Sequence, residues 1–199
     1  MAVRDKQLLI TDIVATVLGQ KPIIDKRFDW FINKHTTDFF KEHFTLIDKI
    51  FKSLHGDIEA NKSKQTKPLE CDAYFGGQYN FMFEFDETQH FGTSRLKTLE
   101  FYPDTLKVSF SIDKWKQLCK SNSKIADRYR FNKMTKDFNF QGVRNSQRAY
   151  LDCFRDILPQ YYGLKPTLCI SEFEVININA NSKDNCKKIE LLIKSRLHP

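Results

Sequence analysis

The alternation of apolar and polar positions is sharpest over Tyr79-Asn80-Phe81-Met82-Phe83-Glu84-Phe85-Asp86. A strand sends successive side chains to opposite faces. Tyr79, Phe81, Phe83 and Phe85 therefore share one face, which reads as buried, and Asn80, Met82, Glu84 and Asp86 share the other. Elsewhere the period is helical. Leu8, Leu9, Ile13, Val14, Val17 and Leu18 predict an amphipathic helix over residues 5–18, closed by Gly19 and Pro22. Phe40, Phe44, Ile47, Ile50, Phe51 and Leu54 predict a second helix over 37–54, with Gly56 beyond its end. Residues 59–67 are polar and read as an exposed loop.

Residues 69–75 read as a short strand, joined to the aromatic strand by a tight turn at Gly76-Gly77. Thr93 is placed to cap a helix running through Tyr102, which Pro103 ends, and 106–110 reads as a strand. Ser111 caps the next helix, anchored by Trp115 and Leu118. Asn145 caps a strong helix to Leu158, one or two strands fall within 167–179, and 187–197 closes the chain as a helix. This order predicts one α/β (α+β) domain over 1–199 with a mixed central β-sheet flanked by helices. Helices occupy 1–58 and an α/β core occupies 69–199.

Composition narrows the classes. With 199 residues, 41% of them hydrophobic, the chain can bury an ordinary core. No apolar run approaches the roughly 20 residues that span a bilayer. The first residues lack the order of a secretion signal. The five cysteines are widely spaced and form no Cys-x-x-Cys pair, which argues against structural zinc and for reduced thiols in the cytoplasm. Cys153 and Cys169 sit in apolar patterns and read as core. There is no Gly-rich phosphate loop, dinucleotide fingerprint or serine-nucleophile elbow. A net charge of +7 favours an acidic partner such as nucleic acid, or simply a lysine-rich solvated surface.

Candidate chemistry lies on the acidic strand. Charged groups enter so apolar a strand when they are paired or hold a cation. A hairpin through Gly76-Gly77 brings Asp72 beside Glu84, and with Asp86 that makes three carboxylates. Such oxygens suit magnesium, which would polarise a phosphate and help ionise a water. His90 is a candidate proton-transfer group or ligand, and Arg95 a phosphate clamp. The plainer alternatives are a turn-forming Asp72, and Glu84 and Asp86 paired with Arg148 or Arg95 in a structural network.

Glu84-x-Asp86-x-x-Gln89-His90-Phe91, followed by Arg95 and Leu99, resembles the core of the PD-(D/E)xK nuclease superfamily. It is most similar there to the branch of very-short-patch-repair endonucleases and related small nucleases. The resemblance covers about 30 residues of 199 and implies a restriction-endonuclease-like core and hydrolysis of DNA phosphodiesters with Mg2+, for which Mn2+ substitutes. It also implies Asp72, Glu84 and Asp86 as metal ligands. Three positions depart from the pattern: Glu87 replaces a glycine, Gly92 replaces an aspartate, and no lysine follows Glu84 at the familiar spacing.

A basic block, residues 114–136, follows. Lys116, Lys120, Lys124, Arg128, Arg130 and Lys133 within it, with Arg144 and Arg148 beyond, are the candidate DNA-binding residues. On a helix Arg148, Asp152 and Arg155 share a stripe, either a phosphate-binding face or an ordinary ion-pair ladder. The expectation is a magnesium-dependent DNA endonuclease of restriction, repair or phage-defence type. The alternative is a non-catalytic nucleic-acid-binding module or subunit of a larger assembly. Cutting both strands with one site per chain would favour a two-fold homodimer.

Overall fold

The aromatic strand lies inside a four-stranded mixed sheet, in the computed structural model, which describes residues 3–197. Helix α1 (Val3–Leu18) leads into β1 (Ile23–Ile32), and the short α2 (Thr37–Phe40), α3 (Phe44–Ser53) and α4 (Ile58–Ser63) follow. Then come β2 (Pro68–Phe75) and β3 (Phe81–Asp86). Helices α5 (Thr93–Leu99), α6 (Ile112–Ala126) and α7 (Val143–Tyr161) precede β4 (Leu168–Ser171) and α8 (Lys183–Leu197). The strand order is β1-β2-β3-β4. The first two pairings are antiparallel, and β3 and β4 run parallel.

The two faces of β3 build two cores. Phe81, Phe83 and Phe85 join Ala73, Phe75, Leu168 and Ile170 against Ile10, Ile13 and Val14 of α1 and Ile189 and Ile193 of α8. Met82 faces the other way, into a cluster with Phe51, Phe91, Trp115, Tyr150 and Phe154. All six residues of β3 are buried, as an interior strand covered on both faces should be. Glu84 and Asp86 share the Met82 face by the two-residue period, so they point into the layer that contains α7.

Several elements differ from the sequence reading. The N-terminal region is not purely helical, because β1 forms an edge of the sheet. Its charges, Asp25, Lys26, Arg27 and Asp29, obscure the strand in the sequence, yet an edge tolerates them. The expected helix over 37–54 breaks at Lys41, whose φ of 43° leaves the helical region. Helix α4 takes up the start of the expected loop, capped by Asp57, which accepts from the Ala60 N–H at 2.9 Å. Residues 106–110 form no strand; Ser109 Oγ instead accepts the Cys169 N–H at 3.0 Å beside β4. Of the one or two strands expected within 167–179, one forms, β4. Gly142, not Asn145, stands before α7.

Helix α5 starts after Gly92 rather than Thr93, and it ends at Leu99, short of Tyr102. Its first turn is capped from across the fold: Asp127 accepts from the Thr93 N–H at 3.0 Å and from Thr93 Oγ1 at 2.7 Å. A Cβ at Gly92 would lie 2.5 Å from Asp127 Oδ1, so the cap requires glycine there. Among the described residues all the cysteines are free, and no helix is long and apolar enough to cross a membrane.

Helices α5 and α7 are joined by a buried charge pair. Arg95 Nη2 donates to Asp156 Oδ2 at 2.6 Å and Nη1 donates to the Tyr102 hydroxyl at 2.9 Å. That hydroxyl donates to Asp156 at 2.5 Å. Removing one partner of such a pair leaves an uncompensated buried charge. Asp156→Ala is expected to lower the unfolding free energy by about 3–5 kcal/mol, measured by urea denaturation.

Candidate active site

Beyond β3 the chain makes a single 3-10 turn over Thr88–His90, which folds His90 back toward the strand end. His90 Nδ1 lies 3.1 Å from Asp152 Oδ2 on α7 and 3.7 Å from Asp86 Oδ1. A carboxylate only accepts, so Nδ1 carries the proton. Nε2 is the ring nitrogen left for a substrate or water.

The strand acids meet different partners. The last registered pair of β2 and β3 is Ala73 with Phe83, so one step further sets Asp72 across from Glu84. Asp72 Oδ2 accepts the Phe85 N–H at 2.8 Å. Glu84 Oε2 lies 2.9 Å from Arg155 Nε, but that N–H is not aimed at the oxygen. Glu84 Oε1 is buried with no hydrogen-bond partner. Asp86 Oδ2 accepts the Trp115 indole N–H at 3.1 Å.

Asp72, Glu84 and His90 open onto a cleft of about 350 Å³. Asp72, Glu84, Glu87, His90 and Asp152 supply its acid-base wall, and Arg144, Arg148 and Arg155 supply its positive charge. Arg148 is positioned by Gln89, donating to its backbone oxygen at 3.3 Å and its side-chain oxygen at 3.0 Å.

Electrostatics follow from burial and neighbours. Burial pushes Glu84 well above the usual carboxylate range; Arg155 opposes this, while Asp72 and Asp86 reinforce it. Burial likewise raises Asp72, against the Phe85 N–H. Asp86 is pushed up to about 6 by burial, with His90 opposing and Asp152 adding to the rise. For His90 burial alone would lower the pKa, but the charges of Asp152 and then Asp86 prevail and hold it above 6.5. Asp152 goes the other way: burial would raise it, and His90, Arg95 and Arg155 hold it below its ordinary value.

Asp72, Glu84, His90, Arg144 and Arg148 thus come together as expected site residues, whereas Asp86 lies behind His90 and does not line the cleft. Arg95, expected as a phosphate clamp, is 3% exposed with its guanidinium committed to Asp156 and Tyr102, so it cannot reach a phosphate. Lys120, Lys124, Arg128, Arg130 and Lys133 are exposed, while Lys116 lines a separate recess with Lys107 and Lys165. Sequence reasoning missed Asp152 as the partner of His90 and Arg155 as the partner of Glu84. Their common stripe on α7 was the available signal.

The expected three-carboxylate cage does not form. Among the described residues no three His, Cys, Asp or Glu side chains are grouped to hold a metal ion. Asp86 is turned to Trp115, and Arg155 stands against Glu84. As folded, these carboxylates do not fit a dication. Comparison with family models, curated proteins and solved structures finds no match for the chain.

Because its folded pKa is raised, the stability that His90 contributes is full below about 6.5 and is lost as pH rises through the folded value. A proton NMR titration of the His90 ring should show a midpoint above 6.5. Asp152→Asn should lower that midpoint and flatten this part of the stability profile. An unchanged midpoint would show that Asp152 does not set the charge of His90.

Proposed function

We propose that this chain hydrolyses DNA phosphodiester bonds at the cleft between the end of β3 and α7. The observation that carries this reading is the His90–Asp152 pair, which opens beside two carboxylates onto a cleft faced by arginines. The strand order and the position of the acids at the end of β3 support a restriction-endonuclease-like core, as the sequence resemblance implies.

In this reading Arg144 and Arg148 bind the phosphate and favour the charge that builds on its oxygens. Glu84 lines the cleft with one carboxylate oxygen unpartnered and takes a proton from the attacking water. The water oxygen bonds to phosphorus as the phosphorus–ester oxygen bond breaks. The leaving oxygen takes the proton held at His90 Nε2. Asp152 fixes the ring and stabilises its charged form. Magnesium carries no step here, because the carboxylates do not form its cage.

One observation favours a second reading. Glu84 already has a buried counter-ion in Arg155, as a non-catalytic DNA-binding module would tolerate. Labelled DNA incubated with Mg2+, with Mn2+ and with EDTA separates the two. The wild-type chain should cleave, and His90→Gln should lose about 10²–10⁴-fold in rate while still binding DNA. Binding without cleavage under every condition would sink the hydrolase reading and leave the module. Cleavage abolished by EDTA would show that the reaction needs a metal and would overturn the metal-free step.

The exposed basic residues should set salt dependence. If six phosphates are met, log affinity should fall with log salt at a slope of about −5, and Lys124→Ala should reduce that slope by about 1. A slope unchanged in that variant would remove Lys124 from the DNA surface.

A further inference from the structure

A second recess, of about 210 Å³, adjoins the cleft and shares Glu87 and Gln89 with it. Its apolar walls are Ile125, Ala126 and Tyr129, at the end of the basic helix α6 and just beyond it. Its polar edge carries Glu87, Gln89 and Glu172. Ile125 is 68% exposed and Tyr129 37% exposed. An aliphatic and an aromatic side chain are thus held open to solvent between the acids of this edge and the arginines Arg130 and Arg148.

Arg148 links the two spaces. Its guanidinium lies 5.1 Å from the Tyr129 ring centre while it donates to Gln89 and lines the cleft. Arg130 lies 5.3 Å from the same ring and takes a positive φ of 48°, an arrangement that turns the chain at Tyr129. A phosphate on Arg148 would therefore have a small apolar recess with a polar edge as its immediate neighbour.

We infer that this recess receives the base of an unpaired nucleotide, so that the chain's preferred ligand is single-stranded or locally unpaired nucleic acid. The inference rests on the nucleic-acid reading of the cleft and adds its substrate class. A base stacked and paired inside a duplex cannot enter a side slot; a free base can. It would lie against Tyr129 and Ile125 with its hydrogen-bonding edge toward Glu87, Gln89 and Glu172. Base–aromatic contact of this kind tolerates any sequence, because every base has a flat face. Arg130 and Arg148 beside the Tyr129 ring favour a nucleotide over an apolar side chain of a protein partner, since their charge matches the phosphate that accompanies every base, while Glu87 and Glu172 suit the amino groups of a base.

Fluorescence anisotropy tests this with three labelled probes of equal length: a single strand, the same strand with abasic positions, and a perfect duplex. The single strand should bind at least tenfold more tightly than the abasic strand, and more tightly than the duplex. Tyr129→Ala should weaken single-strand binding by roughly ten- to a hundredfold and close the gap to the abasic strand. Tyr129→Phe should keep the gap. Tyr129 is partly exposed, so its truncation does not open the core. Equal affinity for normal and abasic strands, or a gap that survives Tyr129→Ala, would overturn the inference. His90→Gln keeps the recess, so it should retain base-dependent binding. In the wild-type chain, the gap without any cleavage would count against the hydrolase reading alone, and cleavage without the gap against the base slot alone.

Discussion

Two carboxylates on one face of a buried strand must be compensated before the sheet can be covered, and α7 provides most of that compensation. Removing an ion from water costs several kcal/mol even after relaxation. Helix α7 answers with residues three and four positions apart, which share one side of a helix. Arg155 stands against Glu84, and Asp152 holds the His90 that faces Asp86. One residue on, Asp156 neutralises Arg95 of α5. Trp115 of α6 completes the set with a hydrogen bond to Asp86. The position of α7 over the sheet is thus specified by charge as well as by Tyr150, Phe154 and Ile157, which pack into the apolar layer beside it.

The parts of the fold with a single clear period were legible in the sequence. The β3 alternation, a glycine-led turn between β2 and β3 (longer than the tight turn expected, at 76–80, so that β3 starts at Phe81), the stripe of α1 and the Ser111 cap of α6 all express local rules. What was not legible depends on partners distant in sequence. β1 carries charges that only an edge strand accepts, and its pairing with β2 is needed to reveal it. Thr93 looks like a cap, but the cap of α5 comes from Asp127, more than 30 residues later. Segment 106–110 has a strand's composition, yet Ser109 satisfies the Cys169 N–H through its side chain and no ladder forms.

The site divides in the same way. Local pattern singled out Asp72, Glu84 and His90, because a hairpin and a strand end bring them to one place. It misjudged Arg95, since a lone arginine after a histidine gives no sign of whether it turns outward or inward. Tyr102 and Asp156 decide that, and they lie on other segments. The stripe of Arg148, Asp152 and Arg155 could be read, but its assignment could not. Which acid meets which base depends on how the helix rolls over the sheet. An acidic strand therefore announces that cations are near without saying whether they are metal or guanidinium.

The distinction matters most at Glu84. A guanidinium is weakly hydrated for a cation and loses less on burial than a compact charge. It can therefore neutralise Glu84 on a strand whose residues are all buried. Had the contact been a parallel two-bond fork, both oxygens would be saturated and the carboxylate chemically idle. The observed pair is a different compromise. Arg155 approaches edge-on through Nε, with its hydrogen misaligned, and Glu84 Oε1 has no partner. Charge is balanced while hydrogen-bonding capacity is not. The same contact that lets the strand fold with an acid inside it leaves one oxygen of that acid able to accept a proton.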